Sequence, residues 1–252
     1  MMKYKSTSIK SKWTKTKWLL KHPNLSKHIP STMQFNKQHL ESMLSAYSTV
    51  YFKPTTGSGG ARIIRIKRNG SGYQTQYNTF KVNHSTLNRL YDYLNRFSKR
   101  RSFLLQKGIH LAKTNGKPFD IRVMVQKTNS GKWESTAIFM KIGKIGKVAT
   151  NYNQGGKIGY LRPTLTGAGF NTTSINNIEA ELKQMGIAVG RHFDRYQVGF
   201  RELGLDVALD SKRKPWILEV NTRPQIYPLK NMKDRMLYQR ILSYAKQYGR
   251  SK

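Results

Sequence analysis

The sequence predicts an α+β protein folded as two lobes with a cleft between them. Three observations lead there. Each half of the chain carries short apolar strands joined by polar turns, together with segments whose apolar residues recur at helical spacing. The 252 residues, 37% hydrophobic and 11% aromatic, suffice for one large or two smaller cores. Near the end, Leu203–Asp210 and Pro215–Asn221 form two apolar runs around the polar turn Ser211 to Lys214, a hairpin whose outer face carries three oxygen-bearing side chains.

The elements follow in chain order. Met1 to His28 holds eight Lys and no acid, interrupted by Trp13, Trp18, Leu19 and Leu20; a basic arm and a first helix both fit it. Past Pro30, Asn36 is placed to cap a helix whose Leu40, Met43, Leu44 and Tyr47 fall at i, i+3, i+4 and i+7. Thr49 to Lys53 reads as a strand. Arg62 to Lys67 and Tyr73 to Tyr77 read as a hairpin around Asn69 to Gly72. Leu87, Leu90, Tyr91 and Leu94 mark a second amphipathic helix, and both helices are expected on one face of a small antiparallel sheet.

Phe103 to Ile109 reads as a connecting strand. Phe119 to Gln126 and Trp133 to Ile142 open a second sheet around the turn Asn129 to Gly131. Asn151 to Gly169, rich in Gly, Asn and Thr, reads as loop. Ile178, Leu182, Met185, Val189 and Phe193 predict a long helix, and Met236, Leu237, Ile241, Leu242, Ala245 and Tyr248 a closing one. The expected division is 1–28 as an N-terminal arm or helix, 29–107 as a small lobe and 108–252 as a large one.

The hairpin carries the first chemical signal. With a symmetric loop, Asp206 opposes Glu219, Ala208 opposes Ile217 and Asp210 opposes Pro215. Alternation then puts Leu205, Val207, Leu209, Trp216, Leu218 and Val220 on the core face, and Asp206, Glu219 and Asn221 on the other. Directly opposed carboxylates destabilise a sheet unless positive charge lies between them. In a chain with 12 acidic and 46 basic residues, a merely solvated face would have drawn Lys or Arg, as the turn did. Hard oxygen donors of this kind suit Mg²⁺, which takes one or two carboxylates and leaves other positions to phosphate oxygens and water.

The second signal is Tyr51 to Gly60, where a strand delivers Lys53 immediately before a Gly-rich loop. Such a loop lets backbone N–H groups fold over phosphate oxygens while a strand-held ammonium meets the same charge. Neither the Walker pattern nor the dinucleotide glycine fingerprint is present.

Composition excludes other classes. Cysteine is absent, which removes disulfides, thiolate metal sites and cysteine nucleophiles. The six His show no metal or triad spacing. No apolar run approaches the roughly 18 residues of a membrane span, so a protein without a transmembrane segment, made in the cytoplasm, is expected. The net charge of +34 points to a polyanionic partner, and its spread along the chain favours general polyanion or nucleic-acid affinity over base reading.

Taken in order, Phe52-Lys53-Pro54 with the Gly-rich loop, Leu105 to Ile109, Asp120-Ile121-Arg122, the Thr150-Asn151 to Gly156 loop, Asp206 and Glu219-Val220-Asn221 resemble the ATP-grasp superfamily, and within it the YheC/YheD branch of endospore coat-associated proteins. The likeness covers residues 10 to 245. It implies ATP clamped between two α+β lobes with Mg²⁺ on its phosphates. Lys53, and Lys12 in Ser11-Lys12-Trp13, would meet phosphates; Thr56, Gly57, Ser58, Gly59 and Gly60 would form the covering loop; Gln106, Lys107, Gly108 and Ile109 would read adenine. Arg122, Lys141 and Asn151 would face phosphoryl transfer, and Asp206, Glu219 and Asn221 would hold the metal. Arg223 reads as ordinary basic surface.

The family's usual chemistry joins a carboxylate to an amine through an acyl phosphate, releasing ADP. Here the substrates would be an acidic amino acid, an acidic peptide or an anionic coat protein. Lys107 stands where relatives carry an acidic or neutral residue, and Lys141 where an Arg is common, which keeps charge but loses the bidentate fork. About fifty residues precede Lys53, so the co-substrate pocket is expected to be open or completed by a partner. The alternative is a non-catalytic scaffold that binds polyanions or acidic coat protein. Spore association follows from the resemblance alone.

Overall fold

The computed structural model describes residues 4–57, 59–148, 150 and 155–250. Two antiparallel sheets organise them. The first, six-stranded, has the order β1-β6-β2-β3-β4-β5, with β1 Thr32–Gln34, β2 Thr49–Pro54, β3 Ile64–Asn69, β4 Gly72–Tyr77, β5 Phe80–His84 and β6 Phe103–Lys107. Helices α2 Lys37–Ala46 and α3 Leu87–Ser98 cover one face, burying Leu40, Met43, Leu44, Leu90 and Leu94 against Val50, Phe52, Ile64, Ile66 and Leu105. As expected, Asn36 caps α2 by accepting from His39 N at 2.7 Å.

The second sheet runs β10-β9-β8-β11-β12, with the short β7 Lys113–Thr114 pairing onto β8. Its strands are β8 Lys117–Lys127, β9 Trp133–Ile142, β10 Lys157–Tyr160, β11 Glu202–Leu209 and β12 Pro215–Asn221. One face is buried by α5 Thr172–Asp194, which offers Ile175, Ile178, Leu182, Met185, Val189 and Phe193 to Ile121, Val123, Val125 and Leu205. Gly186 and Gly190 let α5 approach closely: a Cβ at Gly190 would lie 2.5 Å from the Trp133 ring. The other face is covered at one end by α6 Met236–Lys246, where Ile241 meets Met124, Ala137 and Phe139. The rest of that face, bearing Asp120, Arg122, Lys141 and Asp206, turns toward the first sheet.

The structure decides one reading left open and changes others. The N-terminal segment forms a helix, α1 Lys12–Leu20, capped by Ser11 and packed against α5 and β12. Strands β1 and β5 were not foreseen. The first has three residues, and the second is an edge strand whose Phe80 to Asn83 are exposed, so neither leaves a burial pattern. Within the segment read as loop, β10 and α4 Leu161–Thr166 form; β10 pairs with the edge of β9, and Pro163 in the first turn of α4 is tolerated.

In the last hairpin Asp206 does oppose Glu219, but the ladder slips between Asp206 and Val207, so Ala208 faces Trp216 and Leu209 faces Pro215. Leu218 is left unpaired as a bulge. Ile217 therefore points into the core, while Trp216 and Leu218 are half-buried. The Trp216 indole instead donates to Asp210 at 2.8 Å and lies 4.1 Å beneath the Lys214 ammonium.

Candidate functional site

The sheet register assembles the large-lobe half of the site. Asp206 on β11 lies between Arg122 on β8 and Glu219 on β12, and Asp120 opposes Lys141 on β9. Period-two alternation brings Asp120 and Arg122 to the same face. Arg122 Nε donates to Asp206 Oδ1 at 2.7 Å; Lys141 Nζ bridges Asp206 Oδ1 at 3.0 Å and Asp120 Oδ1 at 2.8 Å. The positive charge that the opposed carboxylates require is thus supplied in part by side chains. Burial alone would raise the Asp206 carboxyl, but Arg122 and Lys141 overcome it and hold the group well below the usual carboxylate range. For Asp120 burial wins, and its carboxyl is pushed up despite Lys141.

The other half comes from the small sheet and α1. Lys53, 7% exposed, donates from Nζ to Gln106 Oε1 at 2.8 Å and across the cleft to the carbonyl of the bulged Leu218 at 3.1 Å. Both partners are neutral. Lys12 N donates to Thr55 O at 2.8 Å, which fixes the start of α1 beside the Gly-rich loop; its Nζ donates to Glu219 Oε1 at 2.5 Å and Gly57 O at 2.8 Å. One turn further on, Lys15 is 5% exposed and its ammonium bonds to none of the described residues, yet it senses Glu219, Lys12 and Asp206. Burial pushes both Lys15 and Lys53 down to about 8.

Between the lobes lie two adjoining chambers, both open to solvent. Both are walled by Ile63, Asp206 and Glu219, so they meet at the carboxylates. The first adds Lys53, Gln106, Lys107, Ile109, Asp120 and Lys141, with Leu111, Val148 and Leu218 as apolar surface. The second adds Lys12, Gly57, Gly59, Gly60, Arg122 and Asn221.

Thus Lys12, Lys53, Gly57, Gly59, Gly60, Gln106, Lys107, Ile109, Arg122, Lys141, Asp206, Glu219 and Asn221 converge on one cleft. Thr56 is exposed and lines neither chamber. Gly108 also lines neither; its N–H is spent on Thr49 O at 2.8 Å, and a Cβ there would meet the Thr49 side chain at 2.6 Å. Both ends of the Gln106 amide are occupied, by Lys53 and by Thr32 Oγ1 at 3.1 Å. The Lys107 ammonium rests over the Tyr47 and Trp216 rings. Ser58 and Asn151 lie outside the described residues.

Two groups escaped the sequence reading. Lys15 was legible only as part of the stripe Lys12, Lys15, Leu19, at i, i+3 and i+7 of a helix that the sequence left open. Asp120 appeared only as a motif letter, and its link to Lys141 depends on strand order.

The donor set suits a magnesium ion. Among the described residues Asp206 Oδ2 is bonded only by Asn221 Nδ2 at 3.4 Å, because Arg122 and Lys141 both hold Oδ1, and Lys12 holds Glu219 through Oε1. Among the described residues no three His, Asp or Glu side chains gather as a cage. The fit is to a metal that takes its remaining ligands from phosphate and water.

A sequence profile described as YheC/D like ATP-grasp matches residues 2–250. The chain belongs to this ATP-grasp family. Endospore coat-associated protein YheD of Bacillus subtilis (strain 168) is 27% identical over 220 residues, covering 85% of this chain and 48% of that protein. Endospore coat-associated protein YheC of the same organism is 24% identical over 228 residues, covering 84% and 59%. The chain therefore spans about half the length of the curated relatives it matches.

Solved ATP-grasp structures share the fold at low identity. The C-terminal domain of K. lactis Pby1, an ATP-grasp enzyme, superposes with a TM-score of 0.54 at 14% identity, covering 96% of this chain and 74% of that one. N5-carboxyaminoimidazole ribonucleotide synthetase from Thermotoga maritima gives 0.51 at 12%, covering 97% and 51%. The ATP-grasp likeness drawn from six short motifs thus extends over the whole chain.

Proposed function

We propose that this ATP-grasp chain binds ATP with Mg²⁺ in the inter-lobe cleft and uses it to join a carboxylate to an amine, releasing ADP. One observation carries the reading. Five buried cations, Lys12, Lys15, Lys53, Arg122 and Lys141, surround three carboxylates, Asp120, Asp206 and Glu219. Among the described residues Lys53 has only neutral acceptors and the Lys15 ammonium has none, and burying unpaired charge is costly unless an anion completes the site. A triphosphate is such an anion. The apolar side of the first chamber, Ile63, Ile109, Leu111 and Val148, suits a nucleobase, and the cationic junction suits its phosphates.

Asp206, Glu219 and Asn221 are the residues that would hold Mg²⁺, which would there neutralise and orient the phosphates. Phosphoryl transfer asks mainly for positioning and for positive charge around the developing anion. An acceptor carboxylate oxygen attacks the γ-phosphorus as its bond to the β,γ-bridging oxygen breaks, giving ADP and an acyl phosphate. The amine nitrogen then attacks the acyl carbon, inorganic phosphate departs, and the nitrogen's surplus proton passes to solvent. Arg122 and Lys141, fixed by Asp206 and Asp120, hold charge beside the transferred group, while Lys12 and Lys53 steady the phosphates left on ADP. Segment 1–28 serves by carrying Lys12 and Lys15 to a cleft formed by lobes 29–107 and 108–252.

The names of the relatives support a role at the spore coat, and the +34 charge supports an acidic substrate or surface there. The test is Mg²⁺-dependent ADP release by purified protein against pools of carboxylates and amines, with Glu219→Gln as control. Substrate-stimulated release lost in the variant supports the ligase. Tight ATP binding without turnover in any pool refutes it in favour of a nucleotide-binding scaffold.

A further inference from the structure

Positive charge on the first sheet finds no counter-charge there. Glu41 and Asp92 are the acidic residues of segment 29–107, and they ride on α2 and α3, the layer that covers one face of the sheet. No ion pair among the described residues involves a residue of this segment. Strand alternation sets what the opposite face carries. Ile64 and Ile66 go to the helices, so Arg65 and Lys67 take the other side of β3. The register then puts Gln76 and Lys81 in line with Arg65, and Gln74 and Asn83 in line with Lys67.

These cations have capacity to spare. Arg65 spends one terminal nitrogen on Gln76 Oε1, and its other side-chain N–H groups bond to none of the described residues. Lys67 and Lys81 are exposed, and Lys67 is pushed down from the ordinary lysine value, first by the Arg65 charge and then by burial and Lys81. Like charges held together in this way draw in an anion. Gln74 Nε2 donates to Asn83 Oδ1 at 3.0 Å, which leaves Gln74 Oε1 as an acceptor beside the N–H donors of Asn83. A peptide unit matches both, whereas a phosphodiester has no N–H to give. Tyr73 and Tyr77 turn to the helices and Phe80, paired with Tyr77, shares their side, so β3, β4 and β5 offer no ring on this face for bases to stack on.

We propose that the Arg65–Lys67–Lys81 face of the first sheet is a docking surface for an extended acidic segment of a partner protein. Arg65 and Lys67 stand about 7 Å apart along β3, the repeat of same-side residues in an extended chain, and Lys81 lies about 10 Å from Arg65, two strands over. Carboxylates on alternate residues of the segment meet the first two cations, its backbone meets Gln74 and Asn83, and a further acidic residue reaches Lys81. None of the three cations lines either inter-lobe chamber, so the surface does not depend on the nucleotide reading.

The test titrates the full chain, at physiological salt, into a short fluorescent peptide alternating Glu and Ser, its Gln-Ser counterpart and a single-stranded DNA oligonucleotide of equal length, read by anisotropy. Two double variants probe the face: Lys67→Glu with Lys81→Glu, and the milder Lys67→Gln with Lys81→Gln, which adds no new charge. Lys37→Glu with Arg89→Glu, both exposed on the helix layer, makes the same change in net charge away from it. Wild type should bind the Glu-Ser peptide and not the Gln-Ser one; the Glu variant should weaken binding about tenfold or more, the Gln variant about threefold or more, and the helix-layer control about twofold or less. No binding of the Glu-Ser peptide by wild type, an equal loss in the helix-layer control, or no loss in the Gln variant each overturns the proposal. DNA held more tightly than the peptide, with its loss confined to the Lys67 and Lys81 variants, overturns it as well and gives the face to nucleic acid.

Discussion

Replacing Lys15 by Met should make the nucleotide-free protein more stable while weakening its hold on nucleotide. The side chain is 5% exposed and gives no hydrogen bond to any described residue, so Met can fill the volume of the stem without orphaning a partner. Burial, set against the attraction of Glu219 and Asp206, leaves the ammonium at about 8 instead of the ordinary 10.5. At about 1.4 kcal/mol per pKa unit, the charged form carries a penalty of about 3 kcal/mol in the folded state.

The pH dependence has a definite sign. Below pH 8 the lysine is protonated in both folded and unfolded chains, and the penalty is complete. Between about 8 and 10.5 the folded state releases its proton first, the unfolded chain binds more protons, and wild-type stability rises with pH. Above that window the difference from Met vanishes. Thermal melts without nucleotide should therefore put Lys15→Met higher by about 6–12 °C at pH 7, taking about 2–4 °C per kcal/mol for a chain of this size. The gap should narrow steadily from pH 8 to pH 10. MgADP titrations at pH 7 should show affinity reduced by about tenfold, the scale of one lost charge-assisted contact. A variant that melts below wild type at pH 7, or a gap that persists unchanged at pH 10, would refute the account of Lys15 as an unpaired buried cation.

Other perturbations test neighbouring parts of the site. Nucleotide affinity should fall as pH rises from 7 to 9, because Lys15 and Lys53 both lose their protons near 8; Lys53→Met should bind weakly throughout, with a shallower pH profile by calorimetry. Glu219→Gln should lower MgADP affinity by about tenfold or more and reduce its dependence on magnesium concentration, since a carboxylate ligand is lost. Asp206→Asn should destabilise the fold at pH 7 by about 3–5 kcal/mol in urea melts, because Arg122 and Lys141 lose their shared counter-charge. Being held low, the Asp206 carboxyl contributes stability above the ordinary 3.8 that is lost as pH falls below it, so the variant should show a flatter acid limb. Gly204→Ala should cost about 1–3 kcal/mol through overpacking, since its Cβ would strike Pro224 at 2.6 Å and crowd Arg122 Cδ at 3.2 Å; an unchanged melting temperature would contradict that geometry.

Much of the architecture could be read from residues whose signal is local. Asn36 with the apolar spacing of Leu40, Met43 and Leu44 announces α2, and Ile178, Leu182, Met185 and Val189 announce α5, because a helix imposes its period on whatever it buries. The order of short motifs was enough to name the ATP-grasp fold, and strand alternation brought Asp206 opposite Glu219. The sequence could not show the bulge at Leu218, since a ladder slip depends on how β12 fits its neighbours. That slip sends Ile217 into the core and exposes the carbonyl that receives Lys53 from the other lobe.

By itself, then, the chain determined its periodic elements, its fold family and the carboxylates of its last hairpin, because each is written in spacings of a few residues. Only the tertiary structure decided that α1 brings Lys15 beside Lys12, that Asp120 and Lys141 pair behind Asp206, and that Arg122 and Arg223 wall one chamber. These groups come from strands and helices distant in sequence. Their meeting is set by strand order, register and interlobe packing, which no local pattern encodes.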